Sequence, residues 1–484
     1  MALTPTNLPL RPGHFTQWET EEQTRVRPAT GSVVALPIVD DWGPANVAVR
    51  LDSYDDYVEV YGRSLTAGER AARDCFRGED LPDSLGAGRI IAIRMGATSG
   101  GGALAHATVE LDNTATNAAI TVDARYPGTR GNLLRVAVEA GATAGTKDFV
   151  VYDGAVEKER YNHPEADIAE LVEAVNESSP YLTLTMLVDN VALATVAAQP
   201  LVGGANGETL SSSNWLAALS TLESERFSFL APYELTDDST QASIVEWTQL
   251  RNAAGKRVMT GLGGTDDEAA TAAVIAAQAI NDGDLIRLGS FVYQDDVYGE
   301  SSPAQMVPRL AGIAAQRGDR GGMSFARLAG GVLLSGPNDA DVDRTILGGV
   351  MTLSADSRED APVHFVKGLT TFSDQSDKNR YRVYRNPKYV RTMHLLEHDF
   401  TEALQTDNLG RVTLDAEGKE AGKIITELAD LMREREARGA FLPGWTVERD
   451  PEFPSSPTDE ILPLRYGVQF QPTLEAVLST LVIR

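Results

Sequence analysis

Strand and helix signals alternate between residues 208 and 355, and this alternation limits the fold more than any other feature of the sequence. Short apolar runs at 227–231, 257–261 and 284–293 are typical of buried strands. Repeated strand–helix units place the strands side by side in one direction, with the helices on the faces of the sheet. The sequence therefore predicts a parallel α/β sheet. The helices of this segment are expected over 213–222, 239–253, 266–280 and 303–316.

The two segments that precede this centre differ from it and from each other. Residues 31–100 begin with the buried-strand run GSVVALPIV and contain a second apolar strand at 89–94. Residues 101–207 instead carry short β-branched runs separated by Gly, Asn and Asp, with one helix expected at about 165–176. We therefore predict a mostly β domain between two parts that are rich in α/β signals.

The segment after the centre, residues 356–470, mixes both kinds of signal and predicts an α+β domain. Amphipathic patterns indicate two long helices, the second of which ends at a basic turn followed by Gly439. The helices are expected over 387–405 and 421–438, and strands over 364–369, 381–384 and 464–470.

The sequence predicts that both ends of the chain are extended. Residues 1–30 contain four prolines and no helical pattern, which indicates an arm. The final residues, 471–484, end in LSTLVIR, which is apolar on both faces of a strand. Such a strand associates with other edges unless something pairs with it. Strand exchange between subunits would satisfy both ends, and pairing of the last strand within its own domain remains the alternative.

The chain has 484 residues, and its 43 Lys and Arg against 69 Asp and Glu give a net charge of −26. This acidity disfavours binding to nucleic acid or to anionic lipid, because both need a basic surface. One cysteine excludes an intrachain disulfide framework. The first residues lack a basic stretch followed by an apolar one, and no run of 18 apolar residues occurs, so we expect neither a secretory signal nor a membrane span.

Two patterns could hold a metal ion. His394-Leu-Leu-Glu-His398 matches H-x-x-E-H, which places two imidazoles on one helix face as zinc requires; the polar face of an amphipathic helix is the favoured interpretation. Asn338-Asp-Ala-Asp-Val-Asp343 alternates carboxylates like a calcium loop, but Arg344 stands where such loops need Gly. We expect a solvated loop there.

No catalytic site is apparent in the sequence. Cys75 lies among small apolar residues, which favours a buried packing role over a catalytic thiol. The Gly-Lys pairs lack the remaining residues of a phosphate loop, and no G-x-S-x-G elbow occurs. We therefore expect no catalytic, metal or cofactor site.

A series of turn and strand motifs runs through the whole chain in a fixed order. They are Pro12-Gly-His-Phe15, Asp41-Trp-Gly-Pro44, Tyr61-Gly62, Ala124-Arg-Tyr-Pro-Gly-Thr-Arg-Gly-Asn132, Leu201–Gly207, Gly439-Ala-Phe441 and Trp445-Thr-Val447. Together they resemble the tail sheath proteins of contractile injection systems, most familiar from contractile-tailed bacteriophages. The Tyr-Pro-Gly-x-x-Gly-Asn turn is the most specific of these matches.

The resemblance implies a multidomain α/β and α+β fold. It assigns 31–100 to the N-terminal part of the sheath core, 101–207 to an inserted mostly β outer domain and 208–355 to an α/β domain of subtilisin-like topology. An α+β C-terminal domain (356–470) and the extended arms 1–30 and 471–484 complete it. A subtilisin-like topology does not imply proteolysis.

The resemblance further implies a structural role in the virion tail, assembled in the bacterial cytoplasm. Subunits would form hexameric rings, stacked helically around an inner tube, and would contract to drive the tube into a target cell; baseplate and tail terminator proteins would be further partners. The arms would join neighbouring C-terminal domains. The residues expected to make these contacts are Phe15, Trp18, Val26, Leu478, Leu481 and Ile483. A hydrolase built on the α/β module, or a shell protein that never contracts, are the alternatives.

Overall fold

The computed structural model describes residues 33–470, apart from 64–65, 80–85, 101, 167, 190, 208–209, 319–320, 329, 356–361, 405–418, 452–461 and 463. The strands are β1 (Val33–Ile38), β2 (Ala48–Leu51), β3 (Arg89–Arg94), β4 (Thr108–Asp112), β5 (Ala118–Ala124), β6 (Leu134–Ala140), β7 (Thr146–Asp153), β8 (Val156–Pro164), β9 (Leu182–Met186), β10 (Val196–Pro200), β11 (Phe229–Leu230), β12 (Met259–Gly263), β13 (Leu285–Leu288), β14 (Val292–Asp295), β15 (Gly299–Ser301), β16 (Arg327–Leu328), β17 (Gly331–Ser335), β18 (Val350–Met351), β19 (Leu353–Ser354), β20 (Val363–Phe365), β21 (Phe441–Arg449) and β22 (Leu464–Phe470). The helices are α1 (Tyr54–Tyr61), α2 (Ala67–Arg77), α3 (Ile168–Ser178), α4 (Ser212–Thr221), α5 (Asp238–Ala253), α6 (Ala270–Ile280), α7 (Val307–Arg317), α8 (Asp339–Gly348), α9 (Lys378–Tyr384), α10 (Pro387–Ala403) and α11 (Lys419–Ala437).

The largest sheet has seven strands in the order β18-β13-β12-β11-β1-β3-β2. Every neighbouring pair is parallel except β2 and β3, which are antiparallel. The predicted parallel α/β sheet is therefore confirmed. Strands from the 33–94 segment lie in the same sheet as strands from 229–351, so the chain between them leaves the sheet and returns to it.

Helices cover both faces of this sheet, as its two-sided burial requires. Alternate residues of β1 point to opposite faces: Val34 and Leu36 belong to one buried cluster and Ala35 to another. The cluster on the first face contains side chains of α1, α2 and α7, and the cluster on the second contains side chains of α4 and α5. The result is a three-layer core.

The chain between β3 and α4 forms the mostly β unit that the sequence predicts. It contains a four-stranded sheet, β10-β6-β7-β8, and a three-stranded sheet, β4-β5-β9, both antiparallel. Helix α3 packs with them around a shared cluster that includes Ile120, Phe149 and Leu171, all buried. Its core is separate from the clusters of the large sheet.

The expected strand at 381–384 is wrong, because these residues belong to helix α9. The Asp377 side chain accepts hydrogen bonds from the backbone N–H groups of Asn379 and Arg380, and this N-cap starts the helix. The alternation of Tyr and Val with Arg is typical of a strand, but the cap and the adjoining turn at Asn386 decide the local structure.

Other elements are shorter than the sequence predicts. The expected strand 284–293 is divided into β13 and β14, because Ser290 adopts a left-handed backbone with φ of 63° that ends the ladder. Helix α6 begins at Ala270 and α7 at Val307, each four residues after the expected start. The remaining predicted helices and the strand Leu464–Phe470 are confirmed to within a few residues.

Two helical glycines predict opposite changes in stability. A Cβ at Gly312 in α7 would overlap the carbonyl oxygen of Cys75 and lie 2.9 Å from that of Asp74, because α2 and α7 are in close contact there. We expect G312A to lower the free energy of unfolding by about 1–3 kcal/mol. Gly422 in α11 is exposed, and nothing lies within 4 Å of the position that a Cβ would occupy there. We therefore expect G422A to raise the free energy of unfolding by up to about 1 kcal/mol. Thermal unfolding of the unassembled chain measures both, and equal melting temperatures would contradict the close helix contact.

Candidate assembly interface

The part of the chain best suited to bind another chain is the hairpin of β21 and β22. The two strands pair antiparallel from Phe441 opposite Phe470 to Arg449 opposite Leu464, with an irregularity between Leu442 and Thr446. They are nine and seven residues long, and in the described part of the chain each pairs only with the other. Both outer edges therefore present backbone donors and acceptors that another strand could pair with.

The inner face of the hairpin is anchored on helices α10 and α11. Phe441 is buried in a cluster with apolar side chains of both helices. Two aromatic contacts add to it: Phe400 meets Tyr466 edge-on with ring centroids 5.3 Å apart, and Tyr389 stacks on Phe470 at 4.6 Å. A two-stranded ribbon is marginally stable alone, so these contacts fix its position.

A buried ion pair joins the two supporting helices. Asp399 of α10 and Arg435 of α11 are essentially inaccessible to solvent, and Nε of Arg435 donates to Oδ2 of Asp399 at 2.7 Å. Removing one partner of such a pair leaves an uncompensated charge in the interior. The pair therefore specifies how α11, and the hairpin after it, lie on α10.

The H-x-x-E-H segment of α10 joins this unit to the large sheet. His394 Nε2 lies 2.9 Å from Oδ1 of Asp284, which directly precedes β13. Glu397 forms an ion pair with Arg257, which precedes β12. His398 Nε2 donates to the carbonyl oxygen of Arg257 at 2.8 Å. All three polar side chains of the motif thus hold α10 against the amino ends of two parallel strands. This agrees with the interpretation of the motif as the polar face of an amphipathic helix.

The electrostatics of this seam favour a neutral His398 and an ionised Asp284. Burial lowers the pKa of His398, and its Nε2 must carry the proton because a carbonyl oxygen only accepts. Burial opposes ionisation of Asp284, but hydrogen bonds from His394 and Asn252 outweigh it and lower the pKa of this carboxyl. Among the described residues no group of three or more His, Cys, Asp or Glu side chains could hold a metal ion.

Arg391 adds a second attachment, one turn before His394. Its guanidinium donates to three backbone carbonyls at the end of α7: Ala314 at 2.8 Å, Gly318 at 2.5 Å and Gly321 at 2.9 Å. Ala314 lies in the last turn of α7, and Gly318 and Gly321 follow the helix. Helix α10 is therefore bound to the core at two sites, and the hairpin is carried on a rigid support.

A second joint connects the large sheet to the inserted β unit, and it is centred on Arg94. This side chain has no exposed surface and ends β3. It donates to the carbonyl oxygens of Asp40 at 2.8 Å, Gly43 at 2.8 Å and Pro127 at 2.6 Å. One guanidinium thus ties the Trp-Gly-Pro turn of the core to the Tyr-Pro-Gly turn of the inserted unit.

Three of the turn motifs that carry the family resemblance meet at this joint. Trp42 and Tyr126 pack edge-on with ring centroids 5.5 Å apart. Gly128 has φ of 139°, and a Cβ there would overlap the carbonyl oxygen of Asp41. Asn132 and Gly204 exchange two hydrogen bonds of 3.1 and 2.9 Å, so the Leu-x-Gly-Gly turn closes the same joint. Residues far apart in sequence thus share one structural role.

Asp40 is a buried carboxyl at this joint whose pKa is raised. Its carboxyl is 3% exposed and accepts hydrogen bonds from the hydroxyls of Tyr57 and Thr66. Burial raises its pKa to about 7, although both hydrogen bonds act in the opposite direction. The joint therefore contains a carboxyl that exchanges a proton near neutral pH.

The other sequence candidates have structural roles. Asn338 caps α8 by accepting from the backbone N–H of Asp341, so the acidic run is the first turn of a helix. The expected solvated loop is therefore wrong, and the run is not a calcium loop either. Cys75 has no exposed surface, and burial raises the pKa of its thiol well above its usual range, which fits a packing role.

The arm residues lie outside the described residues. They are Phe15, Trp18, Val26, Leu478, Leu481 and Ile483, and their inter-subunit contacts stay predictions. Sequence reasoning missed Arg94 and Arg391. An arginine at the end of the apolar run RIIAIR is a usable signal for the first, because a cation there needs buried acceptors.

No family model matches the sequence, and no curated protein matches it either. Solved structures match over nearly the whole chain. The sheath tail protein from Desulfitobacterium hafniense aligns with a TM-score of 0.70 at 16% identity, over 95% of this chain and 100% of that chain. The sheath tail protein from Listeria innocua aligns with a TM-score of 0.67 at 18% identity, over 92% of this chain and 96% of that chain.

An extracellular contractile injection system, the PVC sheath complex in its contracted state, aligns with a TM-score of 0.54 at 10% identity, over 99% of this chain and 98% of that chain. At these identities the likeness establishes the fold. The expected multidomain α/β and α+β architecture is confirmed, and it is the fold of sheath tail proteins. In addition, no helix in the described ranges is both long and apolar enough to cross a membrane.

Asp40 predicts a specific pH dependence of stability. Because its pKa is raised from 3.8 to about 7 in the folded protein, the folded state keeps a proton that the unfolded chain loses, and this contribution is lost as the pH rises through 7. The free energy of unfolding of the wild type minus that of D40N should fall by up to about 1.4 kcal/mol per pH unit between about pH 5 and 7. Urea unfolding of the unassembled chain at several pH values measures it.

Asp374 supplies the control for this prediction. Its carboxylate is exposed, and hydrogen bonds from Ser376 lower its pKa, so its contribution is lost only as the pH falls through the acidic range. The difference between the wild type and D374N should stay level where the D40N difference falls. Parallel profiles for the wild type and D40N would show that Asp40 does not titrate near neutrality.

Proposed function

We propose that this chain is the structural subunit of a contractile tail sheath. Subunits polymerise as helically stacked hexameric rings around an inner tail tube, and they contract from a metastable extended state to drive the tube through a target cell envelope. The observation that carries the proposal is the match of the whole chain, and not of one domain, to sheath tail proteins of two bacteria.

The similar structures support assembly as well as fold. One is a helical sheath of the anti-feeding prophage in its contracted state, and another is the baseplate of the same system, described with six-fold symmetry. Both cover at least 98% of this chain, with TM-scores of 0.53 and 0.52. We infer from them the six-fold rings, the contraction and the baseplate contact. The tube and the tail terminator are further proposed partners, and the virion tail is the proposed location.

The hairpin of β21 and β22 supports a route of assembly. Its outer edges are unpaired within the described residues, and the sequence predicts extended segments at both ends of the chain. We propose that residues 1–30 and 471–484 pair with hairpins of neighbouring subunits, with contacts from Phe15, Trp18, Val26, Leu478, Leu481 and Ile483. Backbone pairing of this kind joins different surfaces of identical subunits, so it can propagate into rings and helices.

The proposed domains follow the sequence assignment. Residues 31–100 and 208–355 form the core, for which we propose a subtilisin-like topology; 101–207 form the outer β domain and 356–470 the C-terminal domain. The energy of contraction comes from interfaces, because additional buried surface contributes about 25 cal/mol per Å² without nucleotide hydrolysis. The proteins that share the fold are sheath components, and the proposed mechanism has no enzymatic step.

Electron microscopy of the purified chain, expressed with its tube protein, tests this function. We expect tubes of two diameters, a long narrow form and a short wide one, because the same subunits repack on contraction. Tubes of one diameter under every trigger would indicate a shell that never contracts. The absence of any tube would contradict the sheath function itself.

Deletion of residues 1–20 tests the arms in the same preparation. The variant lacks Phe15 and Trp18, so we expect a folded monomer that forms few or no sheaths. An unchanged melting temperature is the control for folding. Sheaths of normal length from this variant would contradict the role of the N-terminal arm and leave the sheath function intact.

A further inference from the structure

A basic groove of about 450 Å³ lies beside the hairpin, between α8 of the core and the α9–α10 segment. Three of its lining residues are cationic, Lys367, Arg382 and Arg385, and none is acidic. Tyr381 and the exposed Leu347 add apolar surface. The groove therefore combines positive charge with an apolar wall.

Such a surface is unusual in this chain. The protein carries a net charge of −26, yet residues 378–396 contain six Lys and Arg and no Asp or Glu. A positive patch on a strongly negative protein attracts acidic groups and repels basic ones. Its most abundant acidic neighbour in a homopolymer is another copy of the same chain.

The two arginines contribute to the groove differently: Arg382 is on its surface, and Arg385, which is 8% exposed, lies in its wall. Arg385 donates to the carbonyl oxygens of Phe372 and Ile346, and its guanidinium lies 5.0 Å from the ring centroid of Tyr381. These partners are uncharged, so they position the guanidinium without neutralising it. Arg382 is exposed, and neither arginine forms an ion pair in the part of the chain that the structure describes.

We propose that this groove binds the acidic stretch Glu19-Thr-Glu21-Glu22 in the N-terminal segment of a second copy. The inference rests on the proposed sheath function and adds a site to it. Residues 1–32 precede β1 and could span about 100 Å when extended, so they can reach a neighbouring subunit. Trp18, directly before the acidic stretch, suits the apolar wall at Leu347 and Tyr381.

The position of the groove supports the same occupant. Tyr389 lines it and also stacks on Phe470 at the end of β22. The groove is therefore continuous with the hairpin that we propose as the acceptor of neighbouring arms. A segment that pairs with the edge of the hairpin would place its flanking residues over the groove. The backbone pairing supplies the attachment, and the charges specify its register.

Charge reversal with rescue tests the ionic contact. In the full-length chain we expect R382E to lower the fraction of assembled sheath at least about fivefold at low salt, because it puts like charges opposite each other. Combining R382E with E21K should restore assembly to within about twofold of the wild type. K378E makes the same charge change on the same helix but outside the groove, so it should assemble normally. Equal losses in R382E and K378E, or no rescue, would overturn the proposal.

Cross-linking identifies the occupant whether or not tubes form. Cys75 is the only native cysteine and is fully buried, so a bismaleimide reacts only with introduced thiols. Mixing E21C chains with R382C chains should give a cross-linked dimer on a denaturing gel, and mixing E21C with K378C should give at least about fivefold less. A cross-link confined to single chains of the E21C/R382C double variant would contradict binding in a second copy.

The remaining outcomes distinguish the docking of the acidic stretch in the groove from the proposed sheath function on which it rests. Normal sheaths without a cross-link between E21C and R382C would overturn the groove as a docking site and leave the sheath function standing. A cross-link between E21C and R382C in a protein that never forms tubes would support the groove as a docking site and contradict the sheath function. Nucleic acid that co-purifies with the wild type and is lost from R382E would assign the groove to phosphate and contradict the proposal.

Discussion

The edges of a two-stranded sheet, unpaired within the described residues, are the constraint on which the proposed assembly of this protein depends. Every strand edge carries donors and acceptors that are stabilised only when another strand or water pairs with them. In the described residues, β21 and β22 have one partner each, and their inner face is already occupied by α10 and α11. Within the described residues, these edges are the part of the C-terminal domain that we propose as the attachment for a neighbour.

The usefulness of such an edge depends on how rigidly it is held. Helix α10 is fixed to the core by the His394, Glu397 and His398 contacts and by Arg391 at the end of α7. At the far side of β3, Arg94 fixes the inserted domain in the same manner. Joints made of buried hydrogen bonds let each subunit move as one body. In the proposed contraction, change is then concentrated in the contacts between subunits, where extended arms tolerate rotation.

The sequence predicted the layers of this fold but not the joints between them. Strand runs and helical periodicity were sufficient for the parallel sheet and the β unit, because both follow from local patterns of burial. The alternating pattern at 381–384 gave a wrong strand prediction, because the N-cap at Asp377 starts a helix over these residues. The H-x-x-E-H motif could be interpreted only when Asp284 and Arg257, more than a hundred residues earlier, were found beside it. The arm residues lie outside the described residues, so their inter-subunit contacts stay predictions.

The net negative charge of the chain and its basic groove have opposite effects on the proposed association between copies. In the proposed sheath a net charge of −26 is repeated in every subunit and opposes assembly, so specific contacts must overcome this repulsion. Basic residues concentrated near the hairpin place attraction at the point where a neighbouring arm is proposed to bind. The charges therefore favour one mode of association among many.

A cryo-electron microscopy map of the assembled sheath tests the central claim most directly. We predict that the hairpin of β21 and β22 is extended on its open edges by strands from the terminal segments of other copies, so that four strands or more form one sheet across subunits. A map in which the hairpin stays two-stranded, with both terminal segments paired inside their own subunit, would contradict this account.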